Sequence, residues 1–296
     1  MVALPEWRKG ELMHVAHLAP LVMNVSLLGP LVVTTAERTL RGRDFGGGKP
    51  RGVFELLLLA RGKSVNKDVL ADALWDEAPP KNVAGTIEQY VSLLRRRLCE
   101  GSDEPKRVIV TEAHAYRLET SEMSVDLDRF DSLVVSAEQA DVAKRRALLS
   151  DAVALAVGDL LEDEPYAPWV QWERHVYQGR ISRAHMALAH DSVMVGQYPC
   201  AVRHSEEALR FAPYSEHAFQ TIMISNWALG RSDLARSAYA SCCAAAASLD
   251  VKPSVEATEI AAAIDVGRPP GELIDRYIAP WCARTHAIAP ILAGPR

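Results

Sequence analysis

Hydrophobic positions follow two different rhythms along the chain. Up to about residue 121, short β-prone runs mix with helical spacing; beyond Val125 only helical spacing remains. Met23–Leu28 and Leu31–Thr35 read as strands broken by Gly29-Pro30, and Arg38–Leu40 suggests a third. Gly46-Gly47-Gly48 reads as a turn. After Pro50, the residues Val53, Phe54 and Leu56 to Leu59 predict a helix buried over most of its surface and ended by Gly62. A short helix over Lys67–Trp75 follows, then a loop with Pro79-Pro80. Asn82 then caps a longer helix running to Leu98. Val108–Thr111 and Tyr116–Glu119, joined by Glu112–Ala115, predict a hairpin.

The second part predicts helices over Asp128–Glu138, Lys144–Ala156, Pro168–Val195, Pro199–Phe211, Ser215–Leu229, Ser232–Leu249 and Ser254–Ile264. A repeat of 34 residues aligns Gly196 with Gly230 and Ala201 with Ala235. Gly196, Tyr198, Ala201, Ala208, Leu209 and Pro213 fall at tetratricopeptide spacing; Gly230, Ala235 and Tyr239 repeat it, with Cys242 where a small residue is usual. Such paired helices bury their apolar faces against neighbouring pairs. The fold expected is therefore an α+β winged helix followed by an all-α tetratricopeptide-like helical repeat domain. The boundaries are an N-terminal extension at 1–21, expected to be partly disordered, a first domain at 22–121, a helical domain at 122–264 and a C-terminal tail at 265–296.

Composition changes little in this picture. Hydrophobic residues make up 49% and charged residues 24% of 296, the balance of a folded globular chain. No run approaches the roughly 18 apolar residues of a membrane span, and no basic-then-apolar leader opens the sequence, so a cytoplasmic location is expected. The five scattered cysteines fit buried small residues of a reducing compartment. Charge is more informative. The net charge is −5, yet residues 22–121 hold 15 Lys+Arg against 13 Asp+Glu, while residues 122–296 hold 16 against 23. A balance that small matters only if the cations gather on one element.

They gather on the Asn82–Leu98 helix. Ile87, Val91, Leu94 and Leu98 form one apolar stripe, and off it lie Thr86, Gln89, Tyr90, Ser92, Arg95, Arg96 and Arg97. Gln reads adenine in the major groove, Thr reaches a base or its methyl, and Arg and Tyr reach phosphates. With the short helix before it and the hairpin behind it as a wing, this is a helix-turn-helix-like unit for double-stranded DNA. The competing reading of Arg95–Arg97 is a solvated helix end favoured by the helix dipole.

LLGPLVV, the segment GGGKPRGVFELLLLARGKSVNKDVLADALWDEAPP, the helix TIEQYVSLLRRRL, and AYRLET followed by VDLDRF resemble the actinobacterial antibiotic-regulatory protein family. EPYAPWVQWER and the repeats resemble that family's second part. The resemblance spans roughly residues 22–264 and implies an OmpR-type winged helix joined to a bacterial transcriptional activation domain. It implies a DNA-binding regulator, usually an activator recruiting RNA polymerase, with tandem protomers on direct repeats or a homodimer. Glu88, Gln89 and Leu93 correspond to base-facing positions, and Thr86, Tyr90, Ser92 and Arg95 to backbone-facing ones. Asp76, Glu77 and Ala78 correspond to a loop that touches polymerase. Leu93 stands where many relatives carry Arg, and the wing tip, Glu112-Ala113-His114-Ala115, lacks their Arg and Gly, leaving His114 as its candidate contact.

Other chemistry fits poorly. Gly62-Lys63-Ser64 imitates the end of a phosphate loop, but the first glycine of such a loop would stand at Leu57. His14 and His17 lack partners for a metal; most of His185, His190, His204 and His217 read as surface or core-edge residues. Trp169, Trp172 and Trp227 read as core or inter-domain packing residues, with a groove for a ligand or partner peptide as the alternative; Glu162–Glu164 read as a solvated loop that could meet the basic first domain, and Cys242-Cys243 as diverging helix residues. No enzyme, cofactor or metal site is expected. Two rival functions are an adaptor whose repeats bind a partner while DNA contact has weakened, and a regulator with a ligand pocket among the repeats.

Overall fold

The computed structural model describes residues 23–75, 79–99, 108–121 and 123–285. The N-terminal extension with His14 and His17, the Asp76–Ala78 loop and the end of the tail lie outside the described residues. Three strands, β1 (Met23–Ser26), β2 (Val32–Thr34) and β3 (Thr39–Arg41), open the fold, followed by a 3-10 turn, Gly42–Phe45. Next come α1 (Gly48–Leu59), β4 (Val65–Asn66), α2 (Lys67–Leu74), α3 (Val83–Leu98) and a hairpin of β5 (Ile109–Thr111) and β6 (Ala115–Leu118). β4 joins the hairpin in a second sheet ordered β4-β6-β5. This is the expected winged helix, with β4 added; two residues are too short to show alternation.

The strand β7 (Met123–Val125) also escapes the pattern reading. It pairs in parallel with β1, Met23 facing Met123 and Val25 facing Val125, and completes a sheet ordered β3-β2-β1-β7. The switch to helical spacing near 122–127 thus falls in a strand that belongs to the first sheet. Helices α4 (Asp126–Glu138), α5 (Val142–Leu155), α6 (Pro168–Met194), α7 (Tyr198–Phe211), α8 (Glu216–Ala228), α9 (Ser232–Ser248) and α10 (Val255–Asp265) follow. α6 is one continuous helix. α7 packs against α6 and α8, and α8 against α9. Gly196 and Gly230 have φ of 72° and 73°, so both repeats turn at the same left-handed residue, and Ala201 and Ala235 are fully buried behind them. Past residue 265, α11 (Pro270–Leu273), a π-helical turn (Ile274–Ile278) and α12 (Ala279–Thr285) dock on this lobe, burying Leu273, Tyr277 and Ile278.

The two lobes share one core. Phe54 and Leu57 of α1, Leu94 of α3, Phe130 of α4 and Tyr177 of α6 belong to the same buried cluster. Val157 N and Leu161 N donate to the carbonyls of Leu28 and Leu27 (3.1 and 2.8 Å), and a Cβ at Gly29 would come within 2.8 Å of the Val157 side chain. Asp126 Oδ2 accepts from Leu27 N (2.8 Å) and Leu28 N (2.9 Å). Arg51 of α1 pairs with Asp163 at 2.9 Å, with Glu164, and with the buried Glu55 at 3.3 Å. The Glu162–Asp163–Glu164 loop therefore meets the first lobe. Arg61 pairs with Asp128 (3.0 Å) and Asp131 (2.8 Å) and donates to Tyr177 Oη, whose hydroxyl donates to Asp131 (3.0 Å).

Some packing expectations need correction. Trp172 is 72% exposed, because it faces away from Val170 and Arg174 on α6; Trp169 is half-buried, and Trp227 Nε1 donates to Arg268 O at 2.8 Å. His185 and His190 are buried, because α6 is covered by α7 and α8 on that side. His185 meets His204 (Nδ1 to Nδ1 3.2 Å), and the His190 and His217 rings lie 4.7 Å apart. Cys242 is buried and its neighbour Cys243 is half-exposed, as diverging helix positions require.

These histidines predict a pH dependence. Burial, then His204, pushes His185 down to about 4; burial, then His217 and Arg145, pushes His190 down to about 3; burial, then Arg203 and Arg146, pushes His204 down to about 4. An unfolded histidine titrates near 6.5. The unfolded chain therefore takes up protons first, and the stabilisation is present above about pH 6.5 and lost as pH falls towards about 4, by up to about 1.4 kcal/mol per pH unit per group. Glu55, raised to about 8 by burial, has the opposite sign: its contribution is present below its unfolded pKa and lost as pH rises through 8. Urea unfolding at pH 5 and 7 is expected to show lower stability at pH 5, and Glu55→Gln to flatten the decline above pH 7. A flat profile from pH 7 to pH 5 would contradict the histidine assignment.

Candidate nucleic-acid interface

α3 forms because Asn82 Oδ1 accepts from Gly85 N at 3.0 Å and because Ile87, Val91, Leu94 and Leu98 all turn to the core. Full burial of such side chains stabilises by about 1.5–3 kcal/mol each, which fixes the helix rotation. Gln89 and Arg96 then lie roughly 200° and 180° round the helix from Ile87. Both are exposed, as are Glu88, Ser92 and Arg97. Neither Arg96 nor Arg97 has an ion-pair partner among the described residues. Among the described elements α3 packs chiefly on α1, α2 and the 3-10 turn, and Gln89, Ser92 and Arg96 on its outer face are exposed.

The other candidates divide between the two flanks of α3. On the hairpin side, Glu88 pairs with Lys67 at 2.7 Å, and Lys67 Nζ lies 5.4 Å from the centre of the Tyr116 ring. On the same side Arg95 Nε and Nη2 donate to Ile109 O (3.0 and 2.6 Å), and Nη2 donates to Thr111 Oγ1 (2.7 Å). Burial pulls the Arg95 guanidinium below its ordinary pKa. Its Nη1 has no hydrogen-bond partner among the described residues. On the opposite flank Tyr90 stacks on Trp75, ring centres 6.2 Å apart, and is half-buried. Leu93 is half-buried with its Cδ2 against Gly46, where any Cβ would collide with it. Thr86, also half-buried, donates its hydroxyl to Asn82 O at 2.8 Å.

His114 is exposed at the hairpin tip, and its carbonyl accepts from Lys67 N at 3.0 Å, tying the wing to the start of α2. Asp76, Glu77 and Ala78 lie outside the described residues. The structure therefore brings Gln89, Ser92 and Arg96 together on one outer face. It sets Glu88 and Arg95 beside the wing and Thr86, Tyr90 and Leu93 on the far flank. The roles of Lys67 and Thr111 in fixing Glu88 and Arg95 escaped the sequence reading, since both lie on elements that meet α3 only after folding. Among the described residues no group of three or more His, Cys, Asp or Glu could hold a metal, and no helix is long and apolar enough to cross a membrane.

Comparison with known proteins gives the same order of parts. Residues 47–118 match the family "Transcriptional regulatory protein, C terminal", and residues 125–265 match "Bacterial transcriptional activator domain". The chain is 28% identical over 209 residues to the transcriptional regulatory protein MoaR1 of Mycobacterium bovis, covering 67% of this chain and 65% of that protein. It is 29% identical over 231 residues to the transcriptional regulatory protein EmbR of Mycobacterium tuberculosis, covering 73% of this chain and 56% of EmbR. The chain thus spans less than two thirds of the length of either relative. The structure of Mycobacterium tuberculosis EmbR in complex with a low-affinity phosphopeptide superposes with a TM-score of 0.73 at 23% identity, over 90% of this chain and 70% of that one, and so shares the fold. With both domains present in this order, the chain belongs to the actinobacterial antibiotic-regulatory protein family, which joins an OmpR-type winged helix to a bacterial transcriptional activator domain.

Proposed function

We propose that the chain is a sequence-specific DNA-binding transcriptional regulator, not an enzyme, that activates by recruiting RNA polymerase. The observation that carries the reading is the outer face of α3, where Gln89, Ser92 and Arg96 are exposed while the apolar stripe is buried. α3 enters the major groove, Gln89 reads a base, and Arg96 with the free edge of Arg95 neutralises phosphates. His114 at the wing tip lies alongside the neighbouring backbone or minor groove. Glu88, held by Lys67, is a weaker base reader than Gln89, and the half-buried Leu93 contributes shape rather than hydrogen bonds. The Asp76–Ala78 loop serves polymerase, and protomers occupy direct repeats in tandem.

Footprinting on upstream DNA from the source organism, followed by titration of the protected fragment at several salt concentrations, tests this. Tight, sequence-selective binding is expected; weak binding with no base preference would favour the adaptor. Arg96→Ala is expected to reduce the slope of log K against log salt by about one unit and leave base preference intact. Its unfolding temperature should be unchanged, because Arg96 makes no ion pair among the described residues. Arg95→Ala should lower both affinity and unfolding temperature, since it also releases the wing strand. Gln89→Ala should relax preference at one base pair, costing about 1–3 kcal/mol. Equal salt slopes for the parent and Arg96→Ala would remove Arg96 from the interface.

A further inference from the structure

A second concave site lies on the helical lobe, away from α3. The beginnings of α8 and α10 and the segment Arg276–Trp281 enclose a cleft of about 680 Å³, within the 300–1,000 Å³ typical of small-molecule sites. Its walls are held by the fold. Tyr277 Oη and Arg276 Nη2 both donate to Glu259 Oε2, at 2.6 and 2.7 Å, so the C-terminal segment is pinned to α10. Ser254 N donates to both carboxylate oxygens of Glu216, at 3.1 and 3.0 Å, joining α10 to α8. Trp281, 41% exposed, leans on His217 with ring centres 4.1 Å apart. Behind His217, the buried His190 has an Nε2 with no hydrogen-bond partner among the described residues.

The charge of the lining selects the ligand. Among the described residues of the lining, three carboxylates, Glu216, Glu256 and Glu259, face one cation, Arg276, which is already paired with Glu259. The N-termini of α8 and α10 would by themselves favour an anion, but Glu216 and Glu256 occupy those first turns and offset the dipoles. Glu256 has no ion-pair partner among the described residues. The aromatic wall already accepts a cation, for the Arg276 guanidinium lies 5.1 Å from the Tyr277 ring centre.

We propose that this cleft binds a small organic cation, a molecule with an apolar body and a protonated amine. The indole of Trp281 and the side chain of Val255, 70% exposed, take the body, and Glu256 and Glu216 take the ammonium. This goes beyond the DNA-binding reading and does not depend on it. Binding there would tie the C-terminal segment, α10 and α8 together, giving the regulator an input at the end of its repeats.

The 296-residue chain is titrated at low salt with three probes of similar shape: phenethylammonium, 2-phenylethanol and 3-phenylpropanoate. Tryptophan fluorescence and ligand-observed NMR report binding. Saturable binding of the ammonium, about tenfold or more tighter than the carboxylate, is the expected result. Glu256→Gln should weaken the ammonium by about three- to fivefold, as for one partly exposed charge contact. Its unfolding temperature should be unchanged, since Glu256 lies exposed on the first turn of α10. Trp281→Leu should abolish the fluorescence change. No saturation up to about 10 mM, equal binding of all three probes, or undiminished binding to Glu256→Gln would each overturn the proposal.

Discussion

Asp126→Ala is expected to lower unfolding free energy by about 4 kcal/mol, because it leaves two buried amides without an acceptor. Leu27 and Leu28 are fully buried, and their N–H groups donate to a single oxygen, Asp126 Oδ2. Burial pushes the Asp126 carboxyl above the usual carboxylate range, against the pull of the Leu28 and Leu27 amides. An unmade hydrogen bond at a buried donor costs about 1–3 kcal/mol, and here there are two. The site also lies where β1 and β2 meet the helical lobe, so its loss loosens the joint between the winged-helix lobe and α4. Urea denaturation, with thermal unfolding as a second readout, checks the effect; a shift of roughly 8 °C corresponds to it at this chain length. Asp126→Asn keeps one carbonyl acceptor and is expected to recover more than half. A loss below about 1 kcal/mol in the alanine variant would show that the two amides find other partners and that the joint does not rest on this carboxylate.

Arg145→Met is expected to cost about 3–5 kcal/mol, the cost of leaving a carboxylate charge buried without its partner. Arg145 on α5 and Asp191 on α6 are 7% and 4% exposed at their side chains, with Nε to Oδ2 at 3.1 Å and a second contact from Nη2 to Oδ1. Removing both charges together in Arg145→Met/Asp191→Leu should be far milder, within about 1–2 kcal/mol of the parent, because the desolvation penalty disappears with the attraction. The two variants separate an interaction that stabilises the fold from one that mainly dictates which helices pair. If the single variant were as stable as the parent, the pair would be solvated in solution and the buried geometry would be wrong.

Much of the candidate interface was legible in the chain because it follows from periodicity. Four apolar residues on one stripe of α3 set its rotation, and that rotation alone exposes Gln89, Ser92 and Arg96. The 34-residue repeat was legible for a similar reason, since Gly196 and Gly230 must both adopt a left-handed backbone to turn between helices. What escaped is non-local or short. β4 and β7 are two and three residues long, too brief for a pattern, and exist because Tyr116 and β1 are there to pair with. The division of the α3 candidates was hidden too. Helical spacing shows that Arg95 and Arg96 are both off the apolar stripe, but not that Ile109 and Thr111 wait beside Arg95. The exposure of Trp172 and the burial of His185 and His190 were likewise not legible, for α6 is long enough to present different neighbours along its length.

The amino-acid order by itself determined the elements, the repeat, the cationic helix and which of its faces turns inward, because these depend on the identities of residues a few positions apart. The tertiary structure decided which cations on that helix have no ion-pair partner among the described residues, how tightly the two lobes are joined through Arg51, Arg61 and Asp126, and that an acidic, aromatic-walled cleft opens at the end of the repeats. Those properties arise from contacts between residues up to more than a hundred positions apart, and no local pattern carries them.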